Sequence, residues 1–282
     1  MSSKNKEVVH SDNGDNIASE ANSMFSLKGR RALVLGGSSG LGFGVASALA
    51  QLGAEICILA RNQEKLNESV AELKKVNGNI SGISFDISNF DKISSVIESV
   101  RQLIGDPDIF IANGGGPPPS AAVEFDPVVW RAQFETMLLT TMAFTTAFLP
   151  SMRQNGYGRI VMISSVSVVE PIPGLVLSNT LRAGLANWGK TLASEVAADG
   201  VTVNTLMPGL FATDRVKRLN QLAAQAKGED IETIAAKEQA AIPIRRYGRP
   251  EEFGAVAAFL ASPAASYVTG ALIPVDGGLM KS

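Results

Sequence analysis

The stretch Arg31-Ala32-Leu33-Val34-Leu35-Gly36-Gly37-Ser38-Ser39-Gly40-Leu41-Gly42 decides the fold of this 282-residue chain. Its first five residues form an apolar run of strand type, and the small, apolar run 40–52 that follows reads as a helix. Glycines crowd the turn between them. They let the backbone bend sharply, approach a pyrophosphate closely and bring helix against strand. The helix N-terminus adds free N–H groups and the positive end of a dipole. A glycine-rich turn has little specificity by itself. A strand before it and a helix after it make Gly36, Ser38, Ser39, Gly40, Leu41 and Gly42 a candidate phosphate loop; the plain alternative is a structural turn.

Working outward, further strands are expected at 55–60, 80–85, 108–112, 159–163, 201–206 and 272–275. Helical stretches separate them at 63–76, 89–104, 127–153, 174–198, 214–240 and 250–261. Strand and helix alternating at this spacing predict βαβ units, hence a parallel sheet of about seven strands covered on both faces. No repeat or low-complexity linker divides the chain, so residues 25–282 are expected to form one α/β, doubly wound (Rossmann-like) domain.

The second strand ends Leu59-Ala60-Arg61. An NAD site usually places a carboxylate here for the ribose 2′-hydroxyl, whereas arginine accommodates a 2′-phosphate. Arg61, with Ser38 and Ser39 nearby, therefore favours NADP(H); a solvated arginine at a strand end is the alternative.

Composition sets the outer limits. The formal net charge is −2 and the pI is about 5.6, which gives no electrostatic case for nucleic acid or an anionic membrane. No apolar run approaches the roughly 20 residues of a spanning helix. The single cysteine, Cys57, excludes an internal disulfide framework and a cysteine-based zinc site, and its run Ile56-Cys57-Ile58-Leu59 points to packing. No metal site is expected. Residues 1–24 are rich in Ser, Asn, Asp and Lys and read as a disordered tail rather than a targeting segment. The only histidine, His10, lies there. A cytoplasmic setting and a small-molecule substrate are the expectations.

Several motifs in fixed order resemble the short-chain dehydrogenase/reductase family, near its 3-oxoacyl-carrier-protein reductase branch. They are the loop from Gly36 to Gly42; Asp86-Ile87, like the family's adenine contact; Asn113-Gly114-Gly115, like its Asn-Ala-Gly turn; and Gly158-Arg159-Ile160-Val161 leading to Ser164-Ser165. Pro208-Gly209 with Thr213, Arg246-Tyr247-Gly248-Arg249-Pro250-Glu251 and Val275-Asp276-Gly277-Gly278 complete the series. The resemblance implies a cofactor site of Gly36, Ser38, Ser39, Gly40, Leu41, Gly42, Arg61, Asp86, Ile87, Asn113, Gly114, Arg182, Pro208, Gly209 and Thr213. It also implies a substrate lid at about 214–240 and a homotetramer or homodimer.

The resemblance breaks at the catalytic residues. The family's active site usually uses Asn, Ser, Tyr and Lys. Its Ser falls on Ser165, but Ser178 stands at the Tyr position, Arg182 at the Lys position and Met137 at the Asn position. The set Ser178-Asn179-Thr180-Leu181-Arg182 with Gly114-Gly115-Gly116-Pro117-Pro118-Pro119 resembles a divergent subgroup. None of the three tyrosines, Tyr157, Tyr247 and Tyr267, falls where the fold would aim it at a nicotinamide. Serine is far less acidic than a phenol, and arginine does not release a proton at neutral pH. At spacing i, i+4, Ser178 and Arg182 share a helix face. General acid catalysis is worth on the order of 10²–10⁴ in rate, and orientation about 7–11 kcal/mol, so losing the tyrosine does not by itself end hydride transfer.

Three readings stay open. The first is an NADP(H)-dependent oxidoreductase in which Ser165, Ser178 and Arg182 polarise a carbonyl or alcohol oxygen. The second is a non-redox isomerase, dehydratase or cyclase using Arg182 and Glu170, a carboxylate on a proline-bracketed loop. The third is a binding protein without turnover. Met137 and Met207 are expected to pack, Glu170 to be an exposed loop residue, and Arg215 and Arg218 to lie on a solvated helix.

Overall fold

The structure, a computed structural model, describes residues 23–281. His10 and the expected tail up to residue 22 lie outside the described residues. The last two tail positions differ from expectation: residues 23–25 are helical. The Phe25 ring lies 6.4 Å from the ring of Phe259, which ties this turn to the body of the protein.

Seven parallel strands form the sheet: β1 (Arg31–Leu35), β2 (Glu55–Ala60), β3 (Ile80–Ser84), β4 (Ile109–Ala112), β5 (Gly158–Ile163), β6 (Val201–Pro208) and β7 (Leu272–Val275). Their spatial order is β3-β2-β1-β4-β5-β6-β7. The chain therefore starts in mid-sheet, winds outward through β2 and β3, and returns to β4 on the other side of β1. Such a reversal opens a crevice at the carboxyl ends of β1 and β4, where ligands of doubly wound sheets bind.

After the short helical turn at 23–25, the helices of the described residues are, in chain order, α1 (Gly40–Gln51), α2 (Gln63–Lys74), α3 (Ile93–Ile104), α4 (Pro127–Phe134), α5 (Thr140–Gln154), α6 (Val176–Val196), α7 (Asp214–Lys227), α8 (Ile231–Ala241) and α9 (Pro250–Ala261). The stretch read as one helix over 127–153 is α4 and α5 joined by a π-helical turn, Glu135–Leu139. The polar stretch 214–240 divides at Gly228, which closes α7 with a left-handed φ of 66°.

Successive strand residues face opposite layers. Ala32 and Val34 of β1 join Val45, Leu49, Phe253 and Leu260 on the side of α1 and α9. Leu33 and Leu35 join Phe144, Phe148, Leu181 and Leu185 on the side of α5 and α6. Both clusters are almost free of solvent. Helices α1 and α9 cross with their backbones in contact. A Cβ on Gly44 would stand 2.3 Å from the Pro250 carbonyl oxygen, and one on Gly254 would stand 2.2 Å from the Gly44 oxygen. No side chain fits at either position.

Cys57 is fully buried in β2, and burial pushes its thiol up to about 12. Because only the thiolate reacts, a disulfide reagent should label Cys57 at the rate of global unfolding. Labelling kinetics followed across a urea series check this; fast labelling of the native protein would mean that β2 opens locally.

Candidate active site

The phosphate loop is a knot of backbone contacts. Gly36 and Gly40 hold φ values of +61° and +53°, a region that L side chains avoid. A Cβ on Gly42 would lie 2.1 Å from the Gly36 oxygen, and one on Gly36 would lie 2.9 Å from Asn113 Nδ2. Asn113, directly after β4, donates from Nδ2 to the Gly36 oxygen at 3.4 Å. The two edges of the crevice are thus stitched together. Ser39 precedes α1 without a side-chain bond to the helix, so the first-turn amides of Gly40, Leu41 and Gly42 face the crevice without an intrahelical acceptor. Ser38 is tied in place by Ser69 Oγ, which donates to its carbonyl at 3.0 Å.

On the β2 side, Arg61 is exposed at the strand end and takes part in no ion pair among the described residues. Asp86 Oδ1 accepts from the Ser88 amide at 3.0 Å and the Ser88 hydroxyl at 2.8 Å. These bonds, with a smaller effect of the Arg61 charge, lower its pKa. Thr140, where α5 leaves the π turn, donates to the Ile87 carbonyl at 3.2 Å. Across the crevice, the Thr213 methyl lies 3.4 Å from the Cβ position of Gly40. Gly209 follows Pro208 and donates its amide to Val275 at 3.0 Å. Gly114 is open: a Cβ there would meet only Ile87, at 4.0 Å. These contacts bring Gly36, Gly40, Gly42, Asn113 and Thr213 together at the carboxyl end of the sheet, with Gly114 beside Ile87.

The substituted catalytic positions sit at the carboxyl end of β5. Arg182 donates from Nε to Ser178 Oγ at 3.1 Å, and from Nη1 to the carbonyls of Ile163 and Ser164, both at 3.0 Å. One of these bonds completes a broken ladder. The Ser164 amide donates to Leu206, and in a parallel pair the next rung runs from residue 208 back to Ser164. Residue 208 is proline and has no N–H, so Arg182 supplies the missing donor. Its Nη2 has no acceptor among the described residues. Burial, followed by the charge of Arg215, lowers the Arg182 pKa to about 10, leaving the group cationic at neutral pH.

Ser178 is buried; its oxygen accepts from Arg182, and its own proton has no acceptor among the described residues. Ser165 Oγ accepts from the Ser167 amide at 3.1 Å, and its proton is likewise uncommitted. These two hydroxyls and Nη2 are donors without an acceptor among the described residues, a set suited to an oxygen gaining negative charge.

Other sequence expectations meet different fates. Met137 and Met207 are buried and pack, as expected. Tyr157 donates to the Ala261 carbonyl at 2.6 Å between the guanidinium groups of Arg30 and Arg159. Tyr247 donates to Glu238 at 2.6 Å, and Tyr267 is fully exposed. Glu170 is not an open loop carboxylate: it is half-buried and accepts the Lys281 amide at 2.8 Å. Arg215 and Arg218 are exposed residues of α7, as expected, and the Arg215 guanidinium in addition lies against Gly116. Nothing in local sequence signals that contact, nor the π turn beside Met137.

Fold and crevice together define a dinucleotide-binding α/β scaffold of oxidoreductase type. The family model described as Enoyl-(Acyl carrier protein) reductase matches residues 36–280. The 3-oxoacyl-[acyl-carrier-protein] reductase FabG of Pseudomonas aeruginosa is 33% identical over 259 residues, covering 91% of this chain and 100% of that protein. The uncharacterized oxidoreductase YvrD of Bacillus subtilis is 31% identical over 261 residues, covering 91% and 98%. L-sorbose reductase from Gluconobacter frateurii, solved with NADPH and L-sorbose, superposes with a TM-score of 0.87 at 30% identity, covering 92% of this chain and 99% of that one. The chain belongs to the short-chain dehydrogenase/reductase family. Among the described residues, no helix is long and apolar enough to cross a membrane.

Two substitutions probe this geometry. Gly42→Ala should abolish dinucleotide binding by calorimetry, since the obstructing atom is backbone and has nowhere to move. Arg182→Ala should destabilise the fold by about 2 kcal/mol, the scale of buried hydrogen bonds to a charged group, read as a shift in urea midpoint at constant slope.

Proposed function

We propose that the protein is an NADP(H)-dependent reductase or dehydrogenase acting on a carbonyl or alcohol, with Arg182, Ser178 and Ser165 in place of the usual acid and its partner. The observation that carries this reading is the fixed Arg182 guanidinium with Nη2 uncommitted. The crevice residues fit the cofactor: the glycine cradle tolerates no Cβ where a pyrophosphate would lie, and Arg61, exposed and in no ion pair among the described residues, stands where a 2′-phosphate would lie. Asp86 and Ile87 would border the adenine, and Asn113, Gly114, Pro208, Gly209 and Thr213 the rest of the dinucleotide. NADP(H) bound there supplies or accepts the hydride.

The protein's part is electrostatic. Arg182 and the two serine hydroxyls stabilise the substrate oxygen as it takes up charge during reduction, and water returns the proton, since none of the three groups is an acid near neutral pH. Held by three bonds, the guanidinium needs no reorganisation when charge develops, which is where such preorganised donors gain their advantage. Helices α7 and α8 would form the lid over the substrate. The non-redox alternative drew on Glu170, and the bond of that carboxylate to the Lys281 amide gives it no support.

Titration calorimetry with NADPH and NADH tests the reading, with micromolar NADPH binding and a clear preference over NADH expected. Arg61→Ala should weaken NADPH by about ten- to hundredfold, one charge-assisted contact, and leave NADH unchanged. No binding of either dinucleotide at millimolar concentration would sink the proposal. Reduction rates should stay level from about pH 6 to 9, where no catalytic group titrates, and fall as pH rises through about 10, where Arg182 loses its proton. A rate limb near neutrality would instead expose an acid that this site is argued to lack.

A further inference from the structure

Arg215 is the second residue of α7, and the first turn of that helix splits its charges. Asp214 reaches Lys65, 3.4 Å away, while Arg215, though exposed, lays its guanidinium over the glycine loop that follows β4. A Cβ built on Gly116 would lie 1.9 Å from Arg215 Nη1, 2.2 Å from Nη2 and 2.3 Å from Cζ. The guanidinium thus rests on the bare Cα. Neighbouring Gly115 meets nothing within 4 Å. Of these loop glycines, the third is the one whose missing side chain makes room for a cation.

No carboxylate among the described residues pairs with Arg215 or with Arg182. The two guanidinium groups are close enough for the Arg215 charge to depress the Arg182 pKa. Arg182 is half-buried and Arg215 exposed; two like charges this near each other repel, and an anion bound between them would relieve that. The described residues supply no such anion, although acidic residues are as frequent as basic ones overall.

We infer that Arg215, seated on Gly116, and the free Nη2 of Arg182 form an anion subsite, so that the substrate carries an oxyanion group, carboxylate or phosphate, beside its reacting carbonyl or alcohol. This rests on the reading of the cleft as a reductase site. Planar, multi-donor guanidinium groups recognise either oxyanion well.

The test is calorimetry on the NADP⁺-saturated protein with 2-oxobutanoate, 3-oxobutanoate and 4-oxopentanoate, each against its methyl ester, and with inorganic phosphate. At least one anion should bind tenfold or more tightly than its uncharged match, or, for phosphate, compete with the acids. That margin should vanish in Arg215→Ala and shrink less in Arg215→Lys. Gly116→Ala should have the same effect without loss of thermal stability, because the atoms in its way are the end of a flexible side chain. It also answers the question if Arg215→Ala fails to fold. Preference among the oxo acids assigns a carboxylate; preference for phosphate assigns a phosphorylated substrate. Equal binding of acids and esters with no phosphate binding overturns the inference. So does a loss of NADPH affinity in Arg215→Ala with the acid margin intact, which would give Arg215 to the cofactor phosphates. Should wild-type protein bind no dinucleotide, the same titrations without cofactor still decide the anion subsite, and the redox reading fails on its own.

Discussion

The bond from Arg182 Nη1 to the Ser164 carbonyl is the constraint around which the site is organised. Pro208 ends β6 without an N–H, so the rung that would fasten β6 to the end of β5 is absent, and a side chain from α6 takes its place. That requirement fixes the guanidinium in position and draws Ser178 into contact, and it sets the angle at which the last unused nitrogen meets the cleft. A lysine at 182 has three donors on a rotating ammonium rather than five on a rigid plane. It would not hold two carbonyls and a hydroxyl while still presenting donors outward. The substitution that removes the family's usual residue thus has a structural logic of its own.

The crevice shows the same economy on its other side. Asn113 joins the end of β4 to the phosphate loop, and Gly36, Gly37 and Gly42 are small because backbone and Ile58 already occupy the space a side chain would need. The positive φ values at Gly36 and Gly40 are sustained by that packing. Binding a charged dinucleotide there would require little further ordering, which limits the entropic cost of association.

The sequence made the sheet legible because buried parallel strands such as Leu33-Val34-Leu35 and Ile56-Cys57-Ile58-Leu59 are continuous apolar runs, and the helices between them have their own period. The candidate residues Ser165, Ser178 and Arg182 were legible from order and offset. What they bond to was not. The proline that orphans the Ser164 carbonyl lies on a different strand from the arginine that satisfies it. Glu170 and Lys281 are 111 positions apart, and Arg215 meets Gly116 only because the start of α7 folds back over the loop after β4. The π turn at Glu135–Leu139 carries no residue signature, since a single i→i+5 turn differs from its neighbours in hydrogen bonding and not in composition.

The crossing of α1 with α9 has a consequence for how the molecule comes into being. The helix that opens the phosphate loop is made near the start of synthesis, while the glycine-faced helix that covers it spans Pro250–Ala261. On the ribosome, where chains emerge at roughly 5–20 residues per second, α1 waits many seconds with one face bare. Its Gly44 backbone groups stay in water until nearly the last part of the chain arrives. The nucleotide crevice, encoded first, is completed last, and a nascent chain halted before α9 holds the glycine loop without the support that shapes it.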